Sequence, residues 1–414
     1  MPHPCGPSVA NSLPCIILKL SFALYLDRME KVPIDHLQPA STKRLVLAAQ
    51  LAFLPTGILT TLLGPMLPLL IVRWSLNDTQ AGNLFLVQFL SSLVGVQLSG
   101  VLLYRLGFRP SFLLGLLLMA GGTATLYMGS VGLGMASVAV YGLGLGLIIP
   151  TDNLLIAELS STSRSGAVSL LNFFWGIGAV LCSLLVAWAE AHRALPFFLG
   201  SVSLLLVLLA FAMRGLAFPP AAPSRDRASN WRELVKSPAV WLFAAVFFLY
   251  PGAETAVGGW IGSYVSRLGP REAAMAPLMP AFFWAALTLG RGLGTLLLSR
   301  VPERRVLRAG FATGSAGIVL MLWSSTLPGV VAGALITGLS YSTLYPITVA
   351  RLSQRFGVAA RSIGAFMFSL ASLGPAVVPW MVGITSQSTG SLRAGLALPL
   401  GATVFLFLIH LRDW

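Results

Sequence analysis

The chain has 414 residues, of which 56% are hydrophobic and only 10% are charged, whereas about 25% of the residues in a soluble globular protein are charged. Its mean hydropathy of +0.83 leaves too little polar surface to cover a water-soluble fold of this size. This composition excludes a soluble enzyme and a disordered chain. It predicts an all-α protein that crosses a membrane many times.

Residues 1–42 precede the first long apolar run and form an N-terminal extension. Leu13–Leu26 is apolar but short, and Lys19 interrupts it. The segment fits an interfacial helix or a vestigial signal. The third alternative is that translation begins at Met29 rather than Met1. The extension is then either disordered or, in part, not translated.

Twelve apolar runs follow, and each is close to the length of about 20 residues that a helix needs to cross the hydrocarbon core. In chain order they are Leu45–Val72, Ala81–Leu103, Ser111–Met128, Val131–Ala157, Gly166–Ala189, Leu195–Met213, Ala239–Val265, Ala276–Leu298, Val306–Ser324, Gly329–Ala350, Ile363–Thr385 and Ala394–Leu411. The longest hydrophilic gap, 214–237, separates six runs in 43–213 from six in 238–414. The pattern predicts two six-helix bundles joined by a linker, an architecture known among transporters.

The basic residues predict the orientation. If the N-terminus is cytoplasmic, 18 of the 24 Lys and Arg residues after residue 42 fall on the inside, five fall outside, and Arg291 lies within a span. By the positive-inside rule, the linker and both termini are cytoplasmic. We expect a multi-pass protein of the plasma membrane, the inner membrane of a bacterium. The same rule accounts for the net charge of +14, so no nucleic-acid partner is required.

Polar residues inside a span are costly, so each is a candidate for function. Glu254, near the middle of span seven, is predicted to accept hydrogen bonds from a substrate or to carry a proton; a structural carboxylate is the alternative. Pro251 and the glycines around it make this span easy to break or bend. Arg291 is about 12 Å from the cytoplasmic end of span eight, and Glu254 is roughly 20 Å above the same side. This separation argues against a direct pair, and Arg291 is predicted to anchor a cytoplasmic gate or cap a helix.

Span four ends with the second candidate for proton coupling, Asp152. This carboxylate either faces a cavity or pairs with an inside arginine such as Arg105 or Arg164.

Aromatic side chains and amides are scattered through the spans, with few charges. Aromatic rings stack on the apolar faces of a sugar ring, and amides and carboxylates bind its hydroxyl groups, so this set favours a neutral polar ligand over an anion. Packing within the bundle is the alternative for each residue. Besides Glu254, the predicted substrate contacts are Asn153, Asn172, Trp175, Gln88, Trp260, Trp284, Tyr341 and Tyr345.

The sequence contains no nucleotide-binding loop and no metal-ligand spacing. We therefore expect no enzymatic activity, no cofactor and no metal site. Without an ATPase motif, uphill transport must use an ion gradient or a substrate gradient.

The loop after span two resembles the signature G-x-L-a-D-r-x-G-r-k of the major facilitator superfamily. It keeps Gly100, Leu102, Arg105, Gly107 and Arg109, with Tyr104 in place of the usual Asp. This resemblance implies the major facilitator fold. It also implies a cytoplasmic gate at Gly100, Arg105, Gly107 and Arg109, in which the missing Asp leaves the usual charge relay incomplete.

The second half is most similar to the fucose–galactose–glucose:proton symporter branch. The similar segments are G-x-E-x-x-x-G-x-W at Gly252–Trp260, the Gly-Arg pair of span eight, Gly338–Pro346 in span ten and Leu373–Trp380 in span eleven. The fucose member carries membrane carboxylates in spans one and four. Here span one has none, and Ile149 stands at the counterpart in span four, which leaves Glu254, Asp152 or no residue to couple a proton.

The resemblance implies a monomeric secondary transporter in the lipid bilayer that moves a small neutral solute, a monosaccharide, by alternating access, with a proton as the candidate coupling ion. The alternative within transport is a multidrug or metabolite exporter. The alternative from another class is a non-transporting sensor on a transporter fold.

Overall fold

The computed structural model describes residues 39–160, 164–219, 236–356 and 360–411. The interpretations offered for the N-terminal extension therefore fall outside the described residues, as does most of the predicted linker.

All regular elements in the described residues are helices. The first-half helices are α1 (Pro39–Thr61), α2 (Leu63–Trp74), α3 (Asp78–Leu106), α4 (Phe108–Thr125), α5 (Val131–Leu159), α6 (Arg164–Ala191) and α7 (Leu195–Arg214). The second-half helices are α8 (Pro238–Val265), the short α9 (Pro270–Ala273), α10 (Met279–Leu298), α11 (Glu303–Trp323), α12 (Leu327–Tyr341), α13 (Leu344–Phe356), α14 (Ala360–Thr389) and α15 (Leu392–Leu411), with a 3₁₀ turn at Ala276–Leu278.

Ten helical segments of the described residues are long and apolar enough to cross a membrane. The other two predicted spans, three and eight, coincide with α4 and α10. The all-α membrane fold predicted from composition is confirmed. The count of twelve spans is consistent with this fold and stays a prediction.

Two spans that the sequence showed as continuous are each divided into two helices. Span one is interrupted at Leu62, between α1 and α2, and span ten is interrupted at Ser342, between α12 and α13. Proline follows each break, at Pro65 and Pro346. Because proline has no backbone N–H to bond the carbonyl four residues earlier, it weakens the helix at that point. Span seven differs, since α8 continues through Pro251 without a break.

The helices of each half pack mainly on one another. In the first half, α5 packs on α3 and α4, and α1 packs on α6. In the second half, α8 packs on α14 and α15, and α12 packs on α10 and α11. The two halves meet mainly along three helix pairs, α3 with α14, α6 with α10 and α2 with α8. This packing leaves a space between the halves near the middle of the membrane-spanning region.

Helix α3 runs from one end of the bundle to the other. We call the end at its first residue the Asp78 end, and the end at Gly107, which follows its last residue, the Gly107 end. At the Asp78 end, Arg267 from the second half forms a two-bonded ion pair with the Asp78 carboxylate. Ser386 Oγ also donates to Asp78 Oδ2 over 2.5 Å. These contacts join the two halves at this end.

A further bond between the halves lies deeper in the bundle, where Trp380 Nε1 donates to Asn83 Oδ1 over 2.9 Å. Toward the Gly107 end, the described side chains form one such bond, a long contact of 3.5 Å between Gln97 Nε2 and Ser369 Oγ. Among the described side chains, the hydrogen bonds between the halves are therefore concentrated at the Asp78 end.

Candidate functional site

A cavity of about 680 Å³ lies between the two halves. Its volume falls within the range of about 300–1,000 Å³ that is typical of small-molecule sites. The walls come from α1, α2, α3, α5 and α6 of the first half and from α8, α10, α13 and α14 of the second, with the break between α12 and α13. Both points at which the helical hydrogen bonding is interrupted therefore border the cavity, although Leu62 and Ser342 keep helical backbone angles.

The cavity extends toward the Gly107 end. Its lining reaches Leu298, the last residue of α10, and Val349 in α13. In the other direction the lining stops at residues such as Gly64 and Gly259. Beyond them the halves are joined by the Asp78 contacts. The structure thus shows a cavity that opens toward one end and is closed at the other.

Glu254 and Arg291 meet inside this cavity, with 3.9 Å between Glu254 Oε1 and Arg291 Nη2. Tyr250 donates its hydroxyl hydrogen to Glu254 Oε2. The expectation that the two charged residues lie too far apart to pair was wrong. Helical side chains tilt toward the N-terminus of their own helix, and α8 and α10 run in opposite directions. The two side chains therefore converge, which a count of backbone rise does not include.

This geometry places Arg291 in the wall of the cavity, and its predicted gating role stays a prediction. Among the described lining residues, Glu254 and Arg291 are the charged ones, and they pair with each other. The cavity consequently carries no net charge. Such a pocket fits a neutral solute, as the sequence predicted, better than an anion or a cation.

Aromatic rings from both halves line the cavity. Trp175 of α6 and Trp284 of α10 pack edge to face, with ring centroids 5.7 Å apart. The Arg291 guanidinium lies 5.5 Å from the centroid of the Trp175 ring. Tyr345 of α13 also lines the cavity and stacks with Tyr250 at 6.4 Å. These rings offer the flat apolar surfaces on which a sugar ring can stack.

Asn172 also lines the cavity, and Asn153 lies behind it. Asn172 Nδ2 contacts Asn153 Oδ1 at 3.3 Å, and Asn153 Nδ2 donates to a carbonyl of its own helix over 2.8 Å. Asn153 is therefore a neighbour that orients Asn172 and is not itself part of the cavity wall. Its expected role as a direct contact is corrected accordingly.

Three further residues that were predicted to contact the solute bond neighbouring helices through their polar groups. Gln88 Nε2 donates to an α1 carbonyl over 3.0 Å, and Trp260 Nε1 donates to the Pro379 carbonyl over 3.0 Å. The Tyr341 and Thr403 hydroxyl groups are hydrogen-bonded over 2.5 Å. All three side chains are buried and lie outside the cavity lining. Direct solute contact is therefore corrected for Gln88, Trp260 and Tyr341, because their polar groups already satisfy neighbouring helices.

Asp152 is fully buried in α5 and lies outside the cavity lining. Neither of its carboxylate oxygens has a hydrogen-bond partner among the described residues. The expected pairing with Arg105 is absent, since Arg105 is exposed at the Gly107 end. The side chain of Arg164, the other predicted partner, is outside the described part of the chain. A buried carboxyl group with no partner remains consistent with proton uptake, which stays a prediction.

The signature residues around Gly107 are organised within the first half. Gly107 has φ +83° and forms the sharp turn between α3 and α4, a conformation that favours glycine. The Arg109 guanidinium donates to the carbonyl of Arg214 at the end of α7. Gly100 faces open space. These contacts join helices of one half, and the gating role of Gly100, Arg105, Gly107 and Arg109 stays a prediction.

The sequence analysis missed Thr288 and Tyr250, which both line the cavity. Spacing was the available signal. Thr288 lies four residues after Trp284 and three before Arg291, and Tyr250 lies four residues before Glu254. Residues with these spacings share one face of a helix.

Residues 50–379 match the Major Facilitator Superfamily. The chain is 23% identical to Bypass of stop codon protein 6 of Saccharomyces cerevisiae in an alignment 312 positions long that covers 67% of this chain and 61% of that protein. It is 21% identical to sodium-dependent glucose transporter 1 of Homo sapiens in an alignment 395 positions long that covers 85% of this chain and 76% of that protein. The chain thus spans about three-fifths of the yeast relative.

Solved structures show the same fold. A nucleoside transporter superposes with a TM-score of 0.73 at 14% identity, over 89% of this chain and 99% of that one. A variant of the fucose:proton symporter of E. coli superposes with a TM-score of 0.63 at 19% identity, over 89% of this chain and 98% of that one.

Proposed function

This chain belongs to the Major Facilitator Superfamily, and we propose that it is a secondary transporter that moves a monosaccharide or a similar small neutral polar solute by alternating access. Membership in this superfamily of transporters confirms the prediction that the chain is not an enzyme. The relative from Homo sapiens is a sodium-dependent glucose transporter, and one structural neighbour is a fucose:proton symporter. Both support a sugar as the solute.

The neutral, aromatic cavity is the observation that carries this proposal. The Glu254–Arg291 pair offers hydrogen-bond acceptors and donors at one place without net charge. Trp175 and Trp284 offer ring faces beside it. A sugar needs this combination, because its hydroxyl groups both donate and accept hydrogen bonds while its C–H faces are apolar.

The unequal ends of the molecule support alternating access. Contacts between the halves close the Asp78 end, and the cavity reaches the Gly107 end. Rocking of the two halves about the cavity would break the first set of contacts and bring the Gly107 ends together. The solute then meets one side of the membrane at a time.

We assign the Gly107 end to the cytoplasm, in the inner membrane of a bacterium, from the charge bias of 18 to five. Ser224, in the part of the linker outside the described residues, tests this orientation. A cysteine at Ser224 should react with an impermeant thiol reagent in inverted membrane vesicles and not in intact cells. Labelling in intact cells would reverse the assignment.

Glu254 is our first candidate for proton coupling, because it lies in the cavity that is exposed to each side in turn. Glu254→Gln keeps the shape and one acceptor but removes the titrating group. If Glu254 carries the proton, this variant loses uphill accumulation and retains counterflow, which requires only binding and isomerisation. If Glu254 binds the solute and carries no proton, counterflow weakens as well, and the loss of counterflow is larger in Glu254→Ala than in Glu254→Gln.

Asp152→Asn is the matched comparison, since Asp152 is the other buried candidate. Loss of accumulation in Asp152→Asn with normal accumulation in Glu254→Gln would move coupling to α5. Normal accumulation in both variants, with unchanged pH dependence, would mean that neither residue couples a proton.

The decisive experiment is counterflow in proteoliposomes. Labelled D-glucose, D-galactose and L-fucose are tested against labelled amino acids and cationic dyes. Exchange of a sugar supports the proposal. Exchange of dyes without sugars would favour the exporter alternative, and no exchange of any solute would favour the sensor alternative.

A further inference from the structure

One helix of the cavity wall carries three buried polar atoms that have no hydrogen-bond partner among the described residues. Three buried polar atoms of the described cavity lining have no hydrogen-bond partner, and all three belong to α10: Trp284 Nε1, Thr288 Oγ1 and Arg291 Nε. The Trp284 side chain is 5% exposed and the Thr288 side chain 7%. Buried polar atoms in proteins are nearly always hydrogen-bonded, so three orphans on one helix call for a partner.

The three residues form a row because they lie at i, i+4 and i+7 on α10. Positions with this spacing fall on one face of a helix. At 1.5 Å per residue the row extends over roughly 10 Å of the cavity wall. We call Trp284, Thr288 and Arg291 the α10 row.

Three other polar side chains of the cavity differ, because neighbours satisfy them. Trp175 Nε1 contacts Thr60 Oγ1 at 3.3 Å, and Asn172 Nδ2 contacts Asn153 Oδ1 and a carbonyl of its own helix. Tyr250 donates to Glu254. Most threonines of the bundle return their hydroxyl to a carbonyl four residues earlier, as Thr348 does over 2.7 Å. Thr288 does not, although its helical position would permit this bond.

The chemistry of the row is one-sided. The indole N–H and the guanidinium Nε–H can only donate a hydrogen bond, and the threonine hydroxyl can also donate one. What the row lacks is therefore acceptor atoms. Hydroxyl and ring oxygens of a sugar are such acceptors, and they lie side by side along the edge of the ring.

The row also lies at a contact between the two halves. A Cβ atom built on Gly176 of α6 would come within 2.6 Å of Thr288 Oγ1, so the hydroxyl faces the first half directly. Because this hydroxyl is buried between α6 and α10, movement of the two helices when the halves rock would control the access of a solute to it.

We propose that the α10 row recognises the solute by donating hydrogen bonds to oxygen atoms along one edge of the sugar ring. This inference rests on the proposed function and assigns the specificity of the site to α10. Thr288 contributes a hydroxyl donor, Trp284 contributes an indole donor beside its stacking ring face, and Arg291 contributes Nε while its outer nitrogens face Glu254.

The test measures binding of D-glucose and D-galactose, and of their singly deoxygenated analogues, to the purified full-length protein in lipid nanodiscs. Thr288→Val and Trp284→Phe remove one donor each; the first keeps the side-chain volume nearly unchanged, and the second also replaces the indole by a smaller aromatic ring. Thr348→Val and Trp323→Phe are the controls, since the first residue bonds its own helix outside the cavity and the second is 85% exposed. Thermal unfolding of each variant shows whether it is folded.

We expect Thr288→Val and Trp284→Phe each to weaken binding of the preferred sugar about ten-fold, which corresponds to about 1.4 kcal/mol, with both controls like the wild type. The wild-type protein should bind the parent sugar more tightly than a deoxy analogue that lacks an oxygen bonded by the row. Each variant should bind the parent sugar and one of these analogues equally well, because the donor for that oxygen has been removed from the protein. Thr288→Ser, which keeps the hydroxyl, should restore most of the affinity.

Two results overturn the inference while leaving the proposed function intact. One is wild-type affinity in both variants. The other is an equal loss for all deoxy analogues, which would show a general disturbance rather than a lost bond. If no sugar binds the wild-type protein, the proposed function fails, and the assignment of the row fails with it.

Discussion

The ion pair at the Asp78 end should control which end of the transporter is open. Asp78 accepts from Arg267 and Ser386 of the other half, and its backbone N–H donates to the Gln387 side chain over 3.2 Å. Asp78→Asn keeps an oxygen for Ser386 but removes the charge. We expect this variant to weaken the closed state of the Asp78 end without altering the cavity.

The size of the effect follows from exposure. The Asp78 side chain is 13% exposed and the Arg267 side chain 39%, so solvent screens part of their attraction. Exposed ion pairs contribute about 0.2–1 kcal/mol, and hydrogen bonds to charged groups contribute about 1.5–3 kcal/mol. A loss of about 1–2 kcal/mol changes a two-state ratio by about 5–30-fold. The ratio of molecules open at the Asp78 end to molecules closed there should rise by this factor.

Distances between spin labels measure this population. Val72 and Ser388 are exposed residues of different halves near the Asp78 end, and Tyr104 and Gln354 are their equivalents near the Gly107 end. Cysteines at each pair are labelled in a background without the native cysteines. In Asp78→Asn, the Val72–Ser388 distance distribution should shift to longer distances and the Tyr104–Gln354 distribution to shorter ones.

Arg393→Gln is the matched control. Arg393 Nε donates to Tyr264 Oη over 3.1 Å, a bond at the same end that lies within the second half. This variant should leave both distributions unchanged. Wild-type distributions in Asp78→Asn, or equal shifts in Arg393→Gln, would refute the assignment of the closed end to this ion pair. Exchanging the charges, as Asp78→Arg with Arg267→Asp, should recover part of the closed population.

Two further predictions concern packing and gating. Gly57→Ala should destabilise the protein by about 1–3 kcal/mol, because its Cβ would lie 2.0 Å from a carbonyl oxygen of α6; Gly200→Ala, with nothing within 4 Å, should leave the thermal unfolding midpoint unchanged. Arg109→Ala should retain wild-type solute affinity because Arg109 lies outside the cavity, whereas Arg291→Ala should lose affinity. Equal unfolding midpoints for the two glycine variants, or lost binding in Arg109→Ala, would contradict these assignments.

The sequence predicts the fold of this chain well because the membrane imposes a simple rule. Each span must hide its backbone polar groups in a helix, so apolar length alone indicates where helices lie. The breaks at Leu62 and Ser342 escaped this reasoning, since hydropathy does not register a missing N–H. Pro65 and Pro346 are the residues in the sequence that indicate where this N–H is missing. Proline alone does not decide the outcome, as the continuous α8 around Pro251 shows.

The candidate site was harder to predict, because polarity inside a span identifies a residue that needs a partner and not which partner it has. Gln88 and Trp260 donate hydrogen bonds to backbone carbonyls of neighbouring helices. The same reasoning separated Glu254 from Arg291, since it followed backbone rise and left out the opposite tilt of the two side chains. The Asp78–Arg267 pair joins residues 189 positions apart, a distance at which no local pattern operates. Hydrogen-bond partners in the structure therefore separate the packing residues from the candidates, and the buried cavity-lining donors without a described partner lie on α10.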